Sequence, residues 1–123
     1  MTERPIVEIA DEDDLYRRIA PLHFYPDGSI NSAAFKISGV PDAEISVNLA
    51  RLTTVEKALE PVEHRPGFGL AVLRAAVPRK LGLRVRHNPT PADYSHSLIE
   101  GNVDSDICTE LATSCQPVGE RVK

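Results

Sequence analysis

The chain has 123 residues, of which 41% are hydrophobic and 26% charged. These values predict one globular domain over residues 1–123, so a disordered chain is not the expectation. The formal net charge is −4, and there is neither a run of about 20 apolar residues nor a basic leader before an apolar run. We therefore expect a cytoplasmic protein without a membrane span or signal peptide. The 2 cysteines are too few for a disulfide framework, and short flexible ends are expected at about 1–5 and 119–123.

The first elements include one segment that fits two secondary structures. Ile6–Ile9 is predicted to be a short strand. The acidic run Asp11–Asp14 suits a helix N-terminus, and Leu15–Ile19 then continues a helix that Pro21 ends. The alternative is that Leu15–Ile19 is a strand, and the pattern alone leaves both open.

Turn signals and an alternating strand follow. Tyr25–Ser29 contains Pro-Asp-Gly and predicts a turn. A short strand is predicted over Ser32–Ile37, and a second turn over Gly39–Asp42. Ile45–Leu49 alternates apolar and polar residues, which is typical of a half-buried strand.

The middle of the chain predicts a capped helix and then an apolar element. Thr53–Glu56 has the pattern of a capping box, which predicts a helix from Thr54 to about Glu60 that Pro61 ends. Leu70–Val77 is apolar except for one arginine, so it fits either a buried strand or a short helix. The strand is favoured because the run is short and follows a glycine.

The next three elements surround a basic strand. Pro78–Leu81 predicts one helical turn that begins with proline and is capped by Gly82. Leu83–His87 alternates in polarity and predicts a second clear strand, and Ser95–Glu100 predicts another.

A last helix, capped by Asp104 or Ser105, is predicted to run to about Cys115. The succession of strand, helix, strand, strand and helix with turn-rich connections predicts an α+β fold. We expect a small, mostly antiparallel sheet with two or three short helices packed on it.

Charge is segregated along the chain. The segment from Arg65 to His87 has no acid and six basic residues, which are Arg65, Arg74, Arg79, Lys80, Arg84 and Arg86. Its net charge is therefore about +6, and the other 8 basic and 18 acidic residues give about −10. A local positive field on an acidic body either docks an anionic partner or pairs with the chain's own acids.

The strand that ends at His87 places Arg84 and Arg86 on one face and His87 on the other. Two arginines two residues apart can hold a phosphate or a carboxylate, and Arg79 and Lys80 in the preceding turn can join them. We therefore predict a ligand-binding site at these four basic residues. The alternative is that they face solvent or pair with the chain's own acids.

The candidate catalytic residues, if the protein is an enzyme, are His87, His96 and Arg17. The two histidines lie nine residues apart across a proline-rich loop, so imidazoles that meet in space can do acid–base work. Their spacing matches no zinc signature. Cys108 and Cys115 lie about 10 Å apart along one helix face, too far for a shared metal. We expect no metal and no cofactor, and buried apolar roles for the cysteines.

Several stretches resemble a group of small bacterial proteins of unassigned function. In the first half they extend from Leu15–Ile19 to Leu52–Thr54, and in the second half they are Gly69–Pro89 and His96–Gly101. The resemblance covers about residues 15–118. It implies a bacterial, cytosolic, self-contained domain and carries no catalytic residue to this chain.

Three functions are weighed from these features. The first is a small cytosolic binding module that docks an acidic protein partner or a small anionic ligand through the basic strand. The alternatives are a small enzyme acting on a phosphate-containing substrate, and a structural protein that self-associates through acidic and basic surfaces. A nucleic-acid partner is disfavoured because the net charge is −4 and only 5% of the residues are aromatic.

Overall fold

Six strands form one sheet in the computed structural model, which describes residues 4–36 and 43–123. In chain order they are β1 (Asp14–Ile19), β2 (Ala43–Leu49), β3 (Gly69–Arg74), β4 (Arg84–His87), β5 (His96–Gly101) and β6 (Gln116–Val118). Their order across the sheet is β4-β5-β2-β1-β3-β6, and every neighbouring pair in these ranges is antiparallel. The α-helices are α1 (Val55–Leu59), α2 (Ala76–Lys80) and α3 (Ser105–Ser114). The predicted α+β class is confirmed.

The main hydrophobic core lies on the side of the sheet that α3 covers, called here the helix face. Its members without exposed surface include Leu15, Ile45 and Ile99 on the strands, and Phe35 and Leu111 above them. Burying a side chain of this size contributes about 1.5–3 kcal/mol relative to leaving it exposed. The core therefore fixes which side of each strand faces inward.

The opposite side of the sheet, called here the outer face, is covered only in part. Over β3, Leu70 is buried together with Ala58 of α1 and Val62, which follows α1. Over β4 and β2 the outward side chains of Arg84, Arg86 and Ser46 are exposed, whereas Asn48 on β2 and Leu98 on β5 are buried. The half of this face at β4, called here the open half, is therefore open to solvent only in part.

The structure decides the secondary structure of the two segments whose sequence patterns fit both a helix and a strand. Leu15–Ile19 belongs to β1 and is a strand, not a helix. Leu70–Val77 begins as strand β3, as favoured, but passes into α2 at Ala76. The helix therefore begins two residues before the predicted turn at Pro78. Proline is tolerated there because the first backbone N–H groups of a helix have no intrahelical partner.

Two predicted strands are wrong. Ile6–Ile9 has no ladder partner, and side chains bind its backbone instead: Val7 N–H donates to His87 Nδ1 over 3.0 Å. Ser32–Phe35 is a 3₁₀ turn, which the Asn31 side chain caps by accepting from the backbone N–H of Ala33 over 2.9 Å. The turn over Gly39–Asp42 lies outside the described residues.

Other local predictions are confirmed or shifted by one residue. The turn over Tyr25–Ser29 forms, with Gly28 at φ +88°. The strand patterns that predict β2, β4 and β5 are confirmed, as is α3 with Asp104 as its N-cap. The N-cap of α1 is Thr54, which accepts from the backbone N–H of Lys57 over 3.1 Å, and not Thr53.

The C-terminal end adds a strand that the sequence pattern does not predict. β6 contains Pro117, which a strand tolerates at a sheet edge because it has no N–H to donate. Beyond it, the Val122 N–H donates to Phe68 O and the Gly67 N–H to Val122 O, each over 2.7 Å. Flexibility of residues 119–123 stays a prediction, although this end has defined partners.

Within residues 4–36 and 43–123, none of the helices combines the length and the apolar character that crossing a bilayer requires.

Candidate functional site

The basic strand β4 lies at one edge of the sheet and presents its arginines to the open half of the outer face. Arg84 and Arg86 are exposed, while Val85 and His87 between them are buried on the helix face. The apolar partners that bury Val85 fix this orientation. The strand pattern therefore predicts correctly which side chains share a face.

Glu100 on β5 partly neutralises these arginines. It lies opposite Arg84 in the register, and Arg86 donates from Nε to Glu100 Oε1 over 2.7 Å and from Nη2 to Oε2 over 3.3 Å. The hydrogen bond lowers the pKa of Glu100 and raises the pKa of Arg86. The Arg86 side chain remains 51% exposed, so a carboxylate from outside can still reach it.

Arg84 differs from Arg86 in its pairing. Among the described residues, ion pairs form at Arg51, Arg79 and Arg86 but not at Arg84. Among the acids that the structure describes, none lies within ion-pair distance of Arg84.

Arg79 has a structural role at the edge of β4. Its Nη1 donates to Asp11 Oδ1 over 2.8 Å, and its Nη2 donates to Ile9 O over 2.7 Å and to Val85 O over 3.3 Å. These contacts use the guanidinium to connect the N-terminal segment to the edge strand. Arg79 thus pairs with the chain's own groups. This is the alternative to ligand binding that the sequence analysis gives for the basic residues.

The predicted four-residue site is therefore divided by the structure. Arg84 and Arg86 are neighbours on the outer face, whereas Arg79 lies at the strand edge and Lys80 is exposed at the end of α2. The sequence analysis predicts one site because these residues are close along the chain. The turn between α2 and β4 separates them, so that their side chains point in different directions.

His87 is buried and both of its ring nitrogens are used by the backbone. Nδ1 accepts from the Val7 N–H over 3.0 Å, and Nε2 donates to the carbonyl oxygen of Tyr94. The Tyr94 ring packs edge-on against the imidazole, with centroids 5.0 Å apart. His87 therefore holds the N-terminal segment and has no nitrogen left for acid–base chemistry.

His96 points to the opposite face of the sheet from His87. Its Nδ1 donates to Asn88 O over 2.8 Å, and its Nε2 accepts from the Ser46 hydroxyl over 3.3 Å. The two histidines do not meet, because positions 87 and 96 have opposite side-chain directions in the β4–β5 register.

Arg17 is the third candidate catalytic residue, and it lies on the helix face. Its Nη1 donates to Ser46 O over 2.8 Å and its Nη2 to Ala34 O over 2.9 Å. Burial lowers the pKa of Arg17, and the charge of Arg18 lowers it further. Burial also raises the pKa of the Cys115 thiol near it to about 12. Arg17 is thus a partly buried residue whose guanidinium bonds to backbone carbonyls, and the candidate catalytic set is not brought together.

A buried polar network between β2 and the loop before β5 is missed by the sequence analysis. Asn48 Nδ2 donates to Asp93 Oδ2 over 2.7 Å and to Ser95 Oγ over 2.8 Å. The Ser95 hydroxyl donates to Asp93 Oδ1 over 2.6 Å, and Arg18 Nη1 donates to Asn48 Oδ1 over 3.3 Å. No local signal marks Asn48, because it occupies a polar position of the alternating strand β2, as Ser46 does. Only its burial, which requires polar partners, distinguishes it.

This network borders an open cleft of about 590 Å³ between α1 and the loop that contains Asp93. Side chains of both positive and negative charge line the cleft, including Lys57 and Glu60. Asp93 and Ser95 already bond to each other and to Asn48, so they have a structural role in the cleft wall.

The cysteines are buried free thiols, as predicted. In the described part of the chain, no cluster of three or more histidine, cysteine or acidic side chains has a geometry that could hold a metal ion.

Comparison with known proteins finds no family model, no curated protein and no solved structure that matches the chain. The resemblance to small bacterial proteins therefore stays a prediction, and the case for a function rests on the geometry of β4.

Proposed function

We propose that this protein is a small binding module that docks an acidic protein segment through Arg84 and Arg86. The observation that carries the proposal is that two neighbouring arginines stand exposed at the edge of the sheet, and that of these two only Arg86 forms an ion pair with an acid in the described ranges. Two exposed guanidinium groups on the same side of one strand can both donate hydrogen bonds to carboxylates.

A protein segment fits this surface better than a small anion. Exposed ion pairs contribute little free energy because water and salt screen them. A small anion on a flat sheet face would have only such pairs, whereas small-molecule sites are concave and bury most of the ligand. A polypeptide adds backbone and apolar contacts around the same two arginines.

The contact between Arg86 and Glu100 supports the proposal because it is a two-point contact of the kind that guanidinium groups make with carboxylates. Both oxygens of Glu100 face nitrogens of one guanidinium, which is the favoured two-point arrangement. An incoming carboxylate would meet Arg84 first and would share Arg86 with Glu100. Most of the protein is acidic, so an acidic segment is repelled over much of the surface. At β4 the attraction comes from Arg84 and Arg86 and is opposed by Glu100 and Glu44 on the neighbouring strands.

The test is charge reversal of both arginines. We expect the Arg84→Glu, Arg86→Glu variant to bind a labelled, end-capped Glu-Val-Glu-Val-Glu peptide at least about tenfold more weakly in fluorescence anisotropy, because attraction becomes repulsion. The matched control is Arg65→Glu with Arg74→Glu, which changes the charge equally at two exposed arginines outside β4.

The control variant is expected to keep its affinity within about threefold of wild type. Equal losses in the two variants would mean that only net charge matters, and unchanged binding by the β4 variant would refute the proposal. Thermal unfolding of all three proteins checks that the fold is intact.

A further inference from the structure

The N-terminal segment, Arg4–Ile9, occupies the outer edge of β4 and is held there by side chains. In the described part of the chain its hydrogen bonds join Tyr94 Oη to Pro5 O, Arg51 to Glu8 O, Arg79 to Ile9 O, and the Val7 N–H to His87 Nδ1. The first three bonds have a tyrosine or arginine donor, which keeps its proton in mild acid. The bond to His87 is the one that an added proton removes.

His87 accepts from the Val7 N–H only while its imidazole is neutral. A neutral imidazole has one N–H and one free lone pair. Nε2 faces the carbonyl oxygen of Tyr94 and therefore holds the proton, which leaves the lone pair at Nδ1 for the Val7 N–H. A second proton can enter only at Nδ1, where two N–H donors would then face each other.

The surroundings of His87 do not supply a bonded acid for a second proton. The residue is 2% exposed, and no described acid lies within ion-pair distance of its ring. Ser97, opposite it on β5, is uncharged. The charged and titratable groups on the elements around it are Glu8 of the segment, Arg51 paired with Asp13, Arg79 paired with Asp11, Arg86 on the outer face of β4, and Tyr94 with Arg4 over its ring. Glu8 is exposed, so water screens its charge.

We propose that His87 is a proton-operated latch that releases the N-terminal segment from β4 in acid. The released form binds one proton more than the latched form, so lowering the pH shifts the equilibrium toward release. Release also lets water reach the imidazolium, which a buried site without a bonded acid does not stabilise. The latch is independent of the proposed binding role of Arg84 and Arg86, because His87 points to the other face of the sheet.

Few apolar contacts oppose this release. Ile6 is 68% exposed and Val7 is only partly buried, whereas Ile9 is 6% exposed. Segments that bury little apolar surface open locally without unfolding the whole domain. Ile9 and its bond to Arg79 therefore stay in place, while residues 4–8 leave the edge strand.

The experiment follows the Val7 amide by nuclear magnetic resonance while the pH is lowered. At neutral pH we expect a coupling across the hydrogen bond between the Val7 nitrogen and His87 Nδ1, since both atoms are nitrogens. Between about pH 7.5 and about pH 5 the coupling should vanish, and the protection factor of the Val7 amide should fall at least about tenfold. The amide of Ile99, on a strand with neighbours on both sides, should keep its protection.

The variant that tests the origin of the response is His87→Asn. The asparagine Oδ1 takes nearly the position of the imidazole Nδ1 and accepts a hydrogen bond at every pH used. We expect Val7 to keep the same protection factor in acid and at neutral pH. The matched control is His64→Asn, which removes an exposed histidine and should leave the response of wild type unchanged.

Three results would overturn the latch. They are a Val7 protection factor that stays constant until the whole domain unfolds, an equal acid response in wild type and His87→Asn, and a response of Val7 that follows the ring resonances of His64 instead of those of His87. If His87→Asn does not fold, the wild-type protein still decides, because the Val7 amide and the His87 ring must then titrate with one midpoint.

Discussion

Replacing Arg17 with methionine is expected to lower the free energy of unfolding by about 3 kcal/mol. The guanidinium joins β1 to the Ser46 carbonyl on β2 and to the Ala34 carbonyl in the 3₁₀ turn. Methionine fills much of the same space but donates no hydrogen bond, so these carbonyls lose their charged donor. Urea unfolding measures the change, with Arg65→Met at an exposed arginine as the control.

The lysine variant of Arg17 adds a second check. Lysine keeps the charge but lacks the planar fork that reaches two carbonyls, so its stability should lie between those of wild type and Arg17→Met. A loss below about 1 kcal/mol in Arg17→Met would contradict the structural role given to this residue.

Replacing Asp93 with alanine is expected to cost about 3 kcal/mol of the free energy of unfolding. The carboxylate accepts from Asn48 Nδ2 and from both the backbone N–H and the hydroxyl of Ser95. Asn48 and Ser95 are 4% and 1% exposed, so water cannot readily replace the lost acceptor. Urea unfolding at neutral pH measures the loss.

The chain contains a matched control for this change. Asp27 accepts from the backbone N–H and hydroxyl of Ser29 with the same spacing, but on an exposed turn. Asp27→Ala should therefore change stability much less than Asp93→Ala, because water can solvate the freed groups. Similar losses in both variants would show that the local turn, and not burial of the network, determines the energy.

The strand β4 was predictable because its signal is local. The polarity of Leu83–His87 alternates, and alternation alone assigns Arg84 and Arg86 to one side of a strand. The core then determines which side faces inward, since Val85 is buried among the apolar residues of the helix face. The same logic predicts β2, where Ile45–Leu49 alternates in polarity.

The roles of Arg79 and His87 were not predictable, because their partners are distant along the chain. Arg79 bonds to Asp11 and Ile9, which are 68 and 70 positions away, and His87 bonds to Val7, 80 positions away. A local pattern contains no information about such contacts. For the same reason Ile6–Ile9 has the pattern of a strand but no ladder, since side chains take its polar groups.

The ambiguity of Leu15–Ile19 has a related cause. A strand in this register has an inward position at residue 17, where an apolar side chain is expected. The arginine at that position interrupts the alternation of apolar and polar residues. The carbonyls that accept from Arg17 come from two other segments of the chain, Ala34 and Ser46. The inward direction of a charged residue can therefore be understood only when the positions of those two segments are known.

The most direct test of the binding role is a titration of the isotope-labelled protein with the unmodified acidic peptide, followed by amide chemical shifts. We expect saturable shifts that are largest at Arg84 and Arg86 and that weaken as salt is raised. Saturable shifts confined to the cleft beside Asp93, or no saturable shifts on β4, would contradict the proposed role of this strand.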